Sequence, residues 1–568
     1  MNQTLEILFG LFGGLAIFIF GMNMMSECLQ KAAGEKMKAI LGALTRNPVM
    51  GVLAGALTTA VLQSSSATTV MVIGFVSAGL MTLPQAIAVV FGANIGTTIT
   101  AQIIAFQITD YIYLIIFVGF LVSFIVKSEK IKNIGQTIFA FGLLFLGIET
   151  MGDVMKPLAS SPIFLNMIEE VSHIPILGVV VGTLMTLVVQ SSSATIAVLQ
   201  NFAAQPAADG VNSILGLAGA IPILLGDNIG TTITAILASI GQSKNAKRTA
   251  VAHCIFNVSG CFLFIWFINP YAQFISWISP KGPEVEVISR QIANAHTTFN
   301  VVMTFIWMPL IWLMVKIVMR LLPDKKQEMV NTKEPLYLDS KMASQPAAAL
   351  EMVAREILRC SDIVGGILKE IKESVKNKDK KLLAKIQDES DTVSNLYNKI
   401  VEYLSNLFSS GVLTEEQATQ STGLMYVLSD IDRIGNLCVE VGTNLKENLD
   451  QRYEYSEEAL EDVSESLHMI GEIYEKAIQL IKTGDIEGIQ NIMEKKEKIQ
   501  ELDLQMRKSH MMRVSEGKCK AELTSSFAKI LHGIDRMKNS CTNIADIALQ
   551  KVNVPYFIRD TKKSKKEA

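Results

Sequence analysis

Apolar residues run almost unbroken over residues 5–30, 48–80, 83–108, 110–127, 133–155, 175–203, 212–240, 248–268 and 292–321. A helix of about 20 such residues crosses the roughly 30 Å of a bilayer's hydrocarbon, so the pattern predicts a polytopic helical membrane unit over 1–322. Beyond it the periodicity changes. From 346 to 555 Leu, Ile and Val recur three and four residues apart, as in ALEMVAREILRCSDIVGGIL, which predicts amphipathic helices packed as a soluble bundle. The stretch 323–345 reads as a linker and TKKSKKEA, within 556–568, as a solvated basic tail. The expected fold class is all-α throughout.

The apolar runs are interrupted by polar phrases, and the phrases recur. GLAIFIFGMNMM at 14–25 resembles AFGLLFLGIETM at 140–151, QSSSATT at 63–69 matches QSSSATI at 190–196, and GANIGTTITA at 92–101 matches GDNIGTTITA at 226–235. The order is the same and the offsets are 126, 127 and 134, so the unit is an internal duplication, repeat one about 1–127 and repeat two about 130–268, with an extra helix at 292–321.

Lys and Arg gather in short cytoplasmic loops, and this decides how the QSSS segments run. If each is a re-entrant hairpin, Lys31, Lys36, Lys38 and Arg46, then Lys127, Lys130 and Lys132, then Lys244, Lys247 and Arg248, then Lys325 and Lys326 share one face. The other face receives mainly Asp110, Glu169, Glu170 and Asp209, with Lys156, Lys281 and Arg290 as exceptions. Single spans would scatter the basic cluster. Each repeat then has three crossings and one hairpin, which turns the second repeat upside down, the inverted plan of secondary transporters. About eight crossings are expected, with the N-terminus outside, the helical domain cytoplasmic and the chain in the cell membrane.

Composition adds little to this. The chain has 568 residues, 49% hydrophobic and 18% charged, and its net charge of −3 averages two unlike halves, so nothing points to nucleic acid. Seven cysteines with no CxxC spacing read as free thiols. The first segment has no basic leading region and carries Glu6, so it reads as a membrane helix and not a cleaved signal.

Broken backbone at membrane depth is tolerated only where protein or a water-filled cavity satisfies it, so the two QSSS turns belong to an enclosed polar site. Gln63, Ser64, Ser65, Ser66 and Gln190, Ser191, Ser192, Ser193 offer hydroxyl and amide groups that both donate and accept. The second half-helix of each hairpin presents free N–H groups and a partial positive charge to an anion, while carbonyls, Thr68, Thr195, Asn94, Thr97, Asn228 and Thr231 suit a small hard cation such as sodium. No Lys or Arg occurs between Asn47 and Val126 or between Lys156 and Lys244. A bound anion therefore lacks a cationic side chain worth roughly 4 kcal/mol at 4 Å, and co-bound cations are the natural substitute. Asp227 is an intramembrane acid and an ion-site candidate by default, although its repeat-one counterpart is Ala93; Glu149, opposite Asn23, is a second candidate. His253 and His296, in AHCIFN and AHTTFN, read as packing histidines before ligands. Intramembrane proteolysis needs one activated serine with a base and an oxyanion pocket; a duplicated triple serine without GxSxG does not fit it, and no enzyme is expected.

The ordered set QSSSATT, GANIGTT, QSSSATI and GDNIGTT resembles the type II sodium-phosphate cotransporter family in its bacterial form, over about residues 1–320. The resemblance implies a sodium-coupled carrier of inorganic phosphate, with Gln63 to Ser66 and Gln190 to Ser193 central and the Thr and Asn residues above as their neighbours. Sodium is then the coupling ion and no organic cofactor is needed. Some relatives are thought to export phosphate, so net direction stays open, as does a phosphate sensor or anchor signalling through the bundle. In the soluble half VLSDIDRIGNLCVEVG (427–442) and ILHGIDRMKNSCTNIA (530–545) repeat at an offset of 103, suggesting two three-helix units. This half resembles the PhoU-like domain, which in relatives accompanies phosphate transport and signalling and implies self-association or a signalling partner. That family's acidic metal spacing is degraded here: Asp432 is followed by Asn436 and Asp535 by Asn539, leaving both aspartates weak metal candidates.

Overall fold

The computed structural model describes residues 3–43, 47–106, 108–126, 128–156, 174–207, 209–323, 333–340, 342, 346–377, 380–409, 413–450, 455–483 and 489–549. The tail 556–568, Arg46, Lys127, Lys325, Lys326, Glu169 and Glu170 lie outside them. The chain divides into two units, 1–326 and 327–568. Among the described residues there is no strand, only an isolated bridge between Pro206 and Ser213.

The first unit begins with α1 (Gln3–Ala43), α2 (Pro48–Leu62), α3 (Ser65–Ser77), α4 (Leu83–Ile104), α5 (Ile112–Ile125) and α6 (Glu129–Met155). It continues with α7 (Pro175–Val189), α8 (Ser192–Ala203), α9 (Gly216–Gly230), α10 (Thr232–Ser239), α11 (Lys244–Phe264), α12 (Ile268–Ile278), α13 (Glu284–Trp307) and α14 (Ile311–Leu321). Among the described residues five spans are long and apolar enough to cross a bilayer, six if α13 and α14, bent by 84° to one another, form one span. Lys244–Ile278 counts as one of these spans, and α5 is a shorter apolar helix. α2 with α3 and α7 with α8 form two helical hairpins, each interrupted at a QSSS segment.

Glycine contacts fix the relative direction of several helices. Small residues let membrane helices approach backbone to backbone. Gly10 faces Val154, Gly14 faces Met151 and Gly147, and Gly21 faces Ala140 and Leu144, so α1 and α6 are antiparallel. These are equivalent helices of the two repeats, hence the repeats are inverted. The crossing is also self-complementary: a Cβ on Gly21 would lie 2.8 Å from Leu144 N, and one on Gly147 would lie 2.5 Å from Phe18 N. Under the 126-residue offset Gly21 matches Gly147 and Phe18 matches Leu144, so a pseudo-two-fold axis passes through this crossing.

The same reasoning settles the hairpins. Gly55 meets Val89 O, Gly92 meets Val52 O and Gly96 meets Ala56 O, so α2 and α4 run parallel; Gly182, Gly226 and Gly230 do the same between α7 and α9. With α2 and α4 parallel, α3 must return to the side from which α2 came. Had α2 and α3 formed one through-span, α6 would run parallel to α1. On this path Lys244 and Arg248 share an end of the unit with the end of α14: Lys244 Nζ donates to Pro323 O at 2.9 Å, and the Arg248 Nη2 group to Leu322 O at 2.7 Å.

In the second unit α15 (Pro346–Asn377), α16 (Lys380–Ser409) and α17 (Glu415–Asp450) form one half, and α18 (Glu457–Thr483), α19 (Ile489–Ser515) and α20 (Leu523–Leu549) the other. The repeated segments lie on α17 and α20, which pack together with Cys438 Sγ 3.8 Å from Met537 Sδ. Residues 333–340, expected within a linker, lie against α15 and α16 instead. Buried Glu356 accepts the Leu336 and Tyr337 amides, both at 2.9 Å, and Tyr403 donates its hydroxyl to Asp339 O at 2.9 Å. Asp432 accepts from Ser394 at 2.6 Å and Asn436 at 3.1 Å, and Asp535 from Lys538 at 2.5 Å. Burial pushes the Asp432 carboxyl above its usual range against the pull of these two donors. Among the described residues no three His, Cys, Asp or Glu side chains are grouped to hold a metal.

Gly92→Ala and Gly226→Ala place a methyl 1.9 Å and 2.0 Å from a backbone oxygen, so both abolish recovery of folded protein from detergent. Gly13→Ala, with open space around it, leaves the melting temperature within about 2 °C of wild type. Size-exclusion recovery and thermal melting check the contrast.

Candidate functional site

Both QSSS segments break their helices in the same way. At the end of α2 Gln63 adopts φ 51°, and at the end of α7 Gln190 adopts φ 55°; among the described residues these are the non-glycine positions with positive φ. The left-handed conformation ends each first half-helix, at a cost of roughly 1–2 kcal/mol for a residue with a Cβ. The next residue starts the second half. Ser64 caps α3, its hydroxyl accepting from Ala67 N at 3.1 Å, and Ser191 caps α8, accepting from Ala194 N at 3.3 Å. A capping serine satisfies one of the four free N–H groups at a helix start, so the amides of Ser65 and Ser66, and of Ser192 and Ser193, are left over. The hydroxyls of Ser65, Ser192 and Ser193 make no hydrogen bond to protein among the described residues, though all three residues are buried. Each turn therefore presents an uncommitted helix N-terminus with spare hydroxyls.

Behind each turn a threonine pair ties the half-helices together. Thr59 Oγ lies 2.9 Å from Thr68 Oγ in repeat one, and Thr186 Oγ 3.1 Å from Thr195 Oγ in repeat two. Thr68 and Thr195 also reach the carbonyls of Ser64 and Ser191, both at 3.2 Å. The NIGTT motifs sit alongside. Asn94 and Thr97 lie buried in α4, and Asn228 and Thr231 lie buried where α9 continues into α10, Thr231 keeping helical dihedrals (φ −60°, ψ −24°) and donating its hydroxyl to Asn228 O at 2.8 Å. His253 Nε2 lies 3.0 Å from Asn94 Oδ1 and His296 Nε2 3.2 Å from Asn228 Oδ1.

The two-fold is broken in three places. Asp227, where repeat one has Ala93, is fully buried; its Oδ1 accepts from Thr186 at 2.6 Å and its Oδ2 has no partner. No cationic side chain pairs with it among the described residues. Gln63 is buried, donating to Ala60 O and accepting from Thr100 Oγ at 2.9 Å, whereas Gln190 is exposed and its amide is free. Thr234, the repeat-two equivalent of Thr100, donates to Ser66 at 3.2 Å. Both threonines thus serve the first turn and neither serves the second. The serine triplets are not hydrogen-bonded to each other. α3 packs on α10 and α11, and α8 packs on α4 and α13, so each second half-helix lies against the NIGTT region of the other repeat. Glu149 Oε2 is buried without a partner. Thr59, Thr186, Thr100 and Thr234 went unremarked in the sequence; the signal for the last two was present, since both close a shared TIT at the end of the repeated motif.

Inverted repeats, each contributing a broken hairpin whose helix N-terminus faces a polar interior, define a membrane carrier of the secondary-transporter class. The particular family follows from comparison with known proteins. The Na+/Pi-cotransporter family matches residues 17–153 and 148–278, one match per repeat, and the PhoU domain matches 357–445 and 463–548. YqeW of Bacillus subtilis, called an uncharacterized protein, is 31% identical over 311 residues, 55% of this chain and 97% of its own. The "Putative inorganic phosphate export protein YjbB" of Salmonella typhimurium is 23% identical over 538 residues, 93% of this chain and 95% of its own. Sodium-dependent phosphate transport protein 2A of Rattus norvegicus is 37% identical over 95 residues, 16% of this chain and 15% of its own. No solved structure matches. The chain belongs to the Na+/Pi-cotransporter family and carries a PhoU domain; it is a membrane protein of a transporter family.

Gln190, exposed and unbonded, isolates the backbone requirement of the turn. Gln190→Gly keeps or raises thermal stability, and Gln190→Val lowers it by about 1–2 kcal/mol. Equal melting of the two variants contradicts a left-handed turn at this position.

Proposed function

We propose that the chain carries inorganic phosphate across the cell membrane together with sodium ions, by alternating access between the inverted repeats. Phosphate is bound at the QSSS turns, by the free amides of Ser65, Ser66, Ser192 and Ser193 and the hydroxyls of Ser65, Ser192 and Ser193, with Gln63, Gln190, Ser64 and Ser191 shaping the turns and Ser66 engaged with Thr234. Sodium is held by Asp227 and by oxygens of Thr68, Thr195, Asn94, Thr97, Asn228 and Thr231. The observation that carries this reading is the pairing of two uncommitted helix N-termini with a buried, unpaired Asp227 and no basic side chain. Such a pocket favours an anion at one point and requires a cation at another, so each ion raises the affinity for the other.

The broken symmetry supports alternation. Thr100 and Thr234 both close on the first turn, leaving Gln190 open; exchanging the roles of the repeats closes both on the second turn and opens Gln63. The basic end of the unit is the cytoplasmic one by the positive-inside rule, which puts the PhoU domain in the cytoplasm and the N-terminus outside. There the PhoU domain regulates transport according to phosphate status. Net export is a second reading of direction, favoured by the relative named for phosphate export, which aligns across both units.

In proteoliposomes an inward sodium gradient drives radiolabelled phosphate uptake that stops when choline replaces sodium, and reversing the gradient reverses the flux. Ser65→Ala and Ser192→Ala each raise the phosphate half-saturation by about tenfold, the worth of one hydrogen bond to a charged group. Wild-type kinetics in both variants contradict the placement of phosphate. Phosphate binding without flux supports a sensor instead.

A further inference from the structure

Two buried histidines stand beside the site without belonging to the ion-binding groups named above. His253 on α11 and His296 on α13 occupy the same position in AHCIFN and AHTTFN, 43 residues apart. Each meets the side-chain amide of a NIGTT motif, His253 that of Asn94 and His296 that of Asn228. Those asparagines are themselves equivalent, 134 residues apart in the two repeats. One contact has thus been built twice. A histidine that merely fills space satisfies its ring on whatever carbonyl is nearest, and two such rings have no reason to select the same motif residue.

The direction of the bond can be read in repeat two. Asn228 Nδ2 donates to Leu224 O at 3.0 Å, which turns its Oδ1 toward His296. An amide oxygen only accepts, so the proton lies on His296 Nε2. The helix turns beneath both rings are clamped alike: Asn257 Nδ2 donates to His253 O at 3.1 Å, and Asn300 Nδ2 to His296 O at 3.0 Å. Nδ1 of both rings is buried without a partner, so neither ring is held from its far side. An amide oxygen has two acceptor directions. The histidine occupies one and fixes the rotation of the amide, which fixes where the other points.

We propose that His253 and His296 are paired positioning residues, each fixing a motif asparagine so that its oxygen can ligate an alkali cation, one in each repeat. The inference rests on the cation-coupled reading above. Outer partners of this kind typically govern metal affinity by tenfold to a hundredfold without touching the ion.

The test uses the full chain reconstituted in liposomes. His253→Ala and His296→Ala raise the sodium concentration for half-maximal phosphate uptake about tenfold. At saturating sodium the maximal rate and phosphate half-saturation stay within about twofold of wild type, because the chemistry at the QSSS turns is untouched. His253→Gln and His296→Gln, whose amide nitrogen stands close to the place of Nε2, recover most of the sodium affinity. The partners are specific: adding His253→Ala to Asn94→Ala costs nothing more, whereas adding it to Asn228→Ala multiplies the effects. A fall in maximal rate at unchanged sodium half-saturation overturns the proposal, as does Gln performing no better than Ala.

Should an alanine variant reconstitute poorly, thermal stabilisation of the purified protein by sodium over choline makes the same distinction. A shift lost in Ala and retained in Gln supports the assignment; a shift unchanged in Ala overturns it. A wild-type protein showing neither sodium-dependent uptake nor sodium stabilisation removes the transport reading and this inference with it. Sodium-dependent wild-type uptake with unaltered variants removes the positioning role alone.

Discussion

Breaking a helix inside a membrane exposes amides and carbonyls where no water can pair with them, and much of the first unit answers that constraint. The left-handed glutamine stops each half-helix, a serine caps the next, and a threonine pair ties the two together. Glycines at 55, 92 and 96, and at 182, 226 and 230, let the NIGTT helix lie against the hairpin at backbone distance, which encloses the break in protein. At the turns themselves the unpaired groups are the first-turn amides and the hydroxyls of Ser65, Ser192 and Ser193, while Asp227 Oδ2 and Glu149 Oε2 are further buried oxygens without a partner.

Inversion gives the unit two such turns, and their surroundings are not equivalent. Asp227 stands in one repeat only, and both Thr100 and Thr234 favour the first turn. A strictly symmetric pair of sites would bind two equal ions and open equally to both sides. A doubly negative solute needs unequal company: helix dipoles at one point and cations near another, since Arg248 is engaged at the end of α14 and Arg290 with Gln102 and Phe106.

Much of this was legible in the chain itself. Duplicated motifs in the same order, at offsets of 126, 127 and 134, gave the repeats, and the charge of the loops decided for hairpins, which the antiparallel α1 and α6 independently require. The QSSS serines were legible because three hydroxyls in lipid need a reason. His253 and His296 were not, because a single histidine in an apolar helix has many ordinary explanations; only the pairing of each ring with a motif asparagine separates them from packing residues. The docking of 333–340 on the bundle was equally hidden, since Glu356 looks like any surface glutamate until the Leu336 and Tyr337 amides close on it. Asp432 and Asp535, whose spacing already departs from the acidic pattern of the PhoU-like domain, accept hydrogen bonds from Ser394 and Asn436 and from Lys538.

The central claim is that cations, and not basic side chains, balance the charge of the bound anion. Equilibrium binding of radiolabelled phosphate to the purified protein, in sodium and in choline at equal ionic strength, tests it without reference to flux. The account predicts affinity at least about tenfold higher in sodium, the linkage that mutual compensation demands. Equal affinity in the two salts would contradict it.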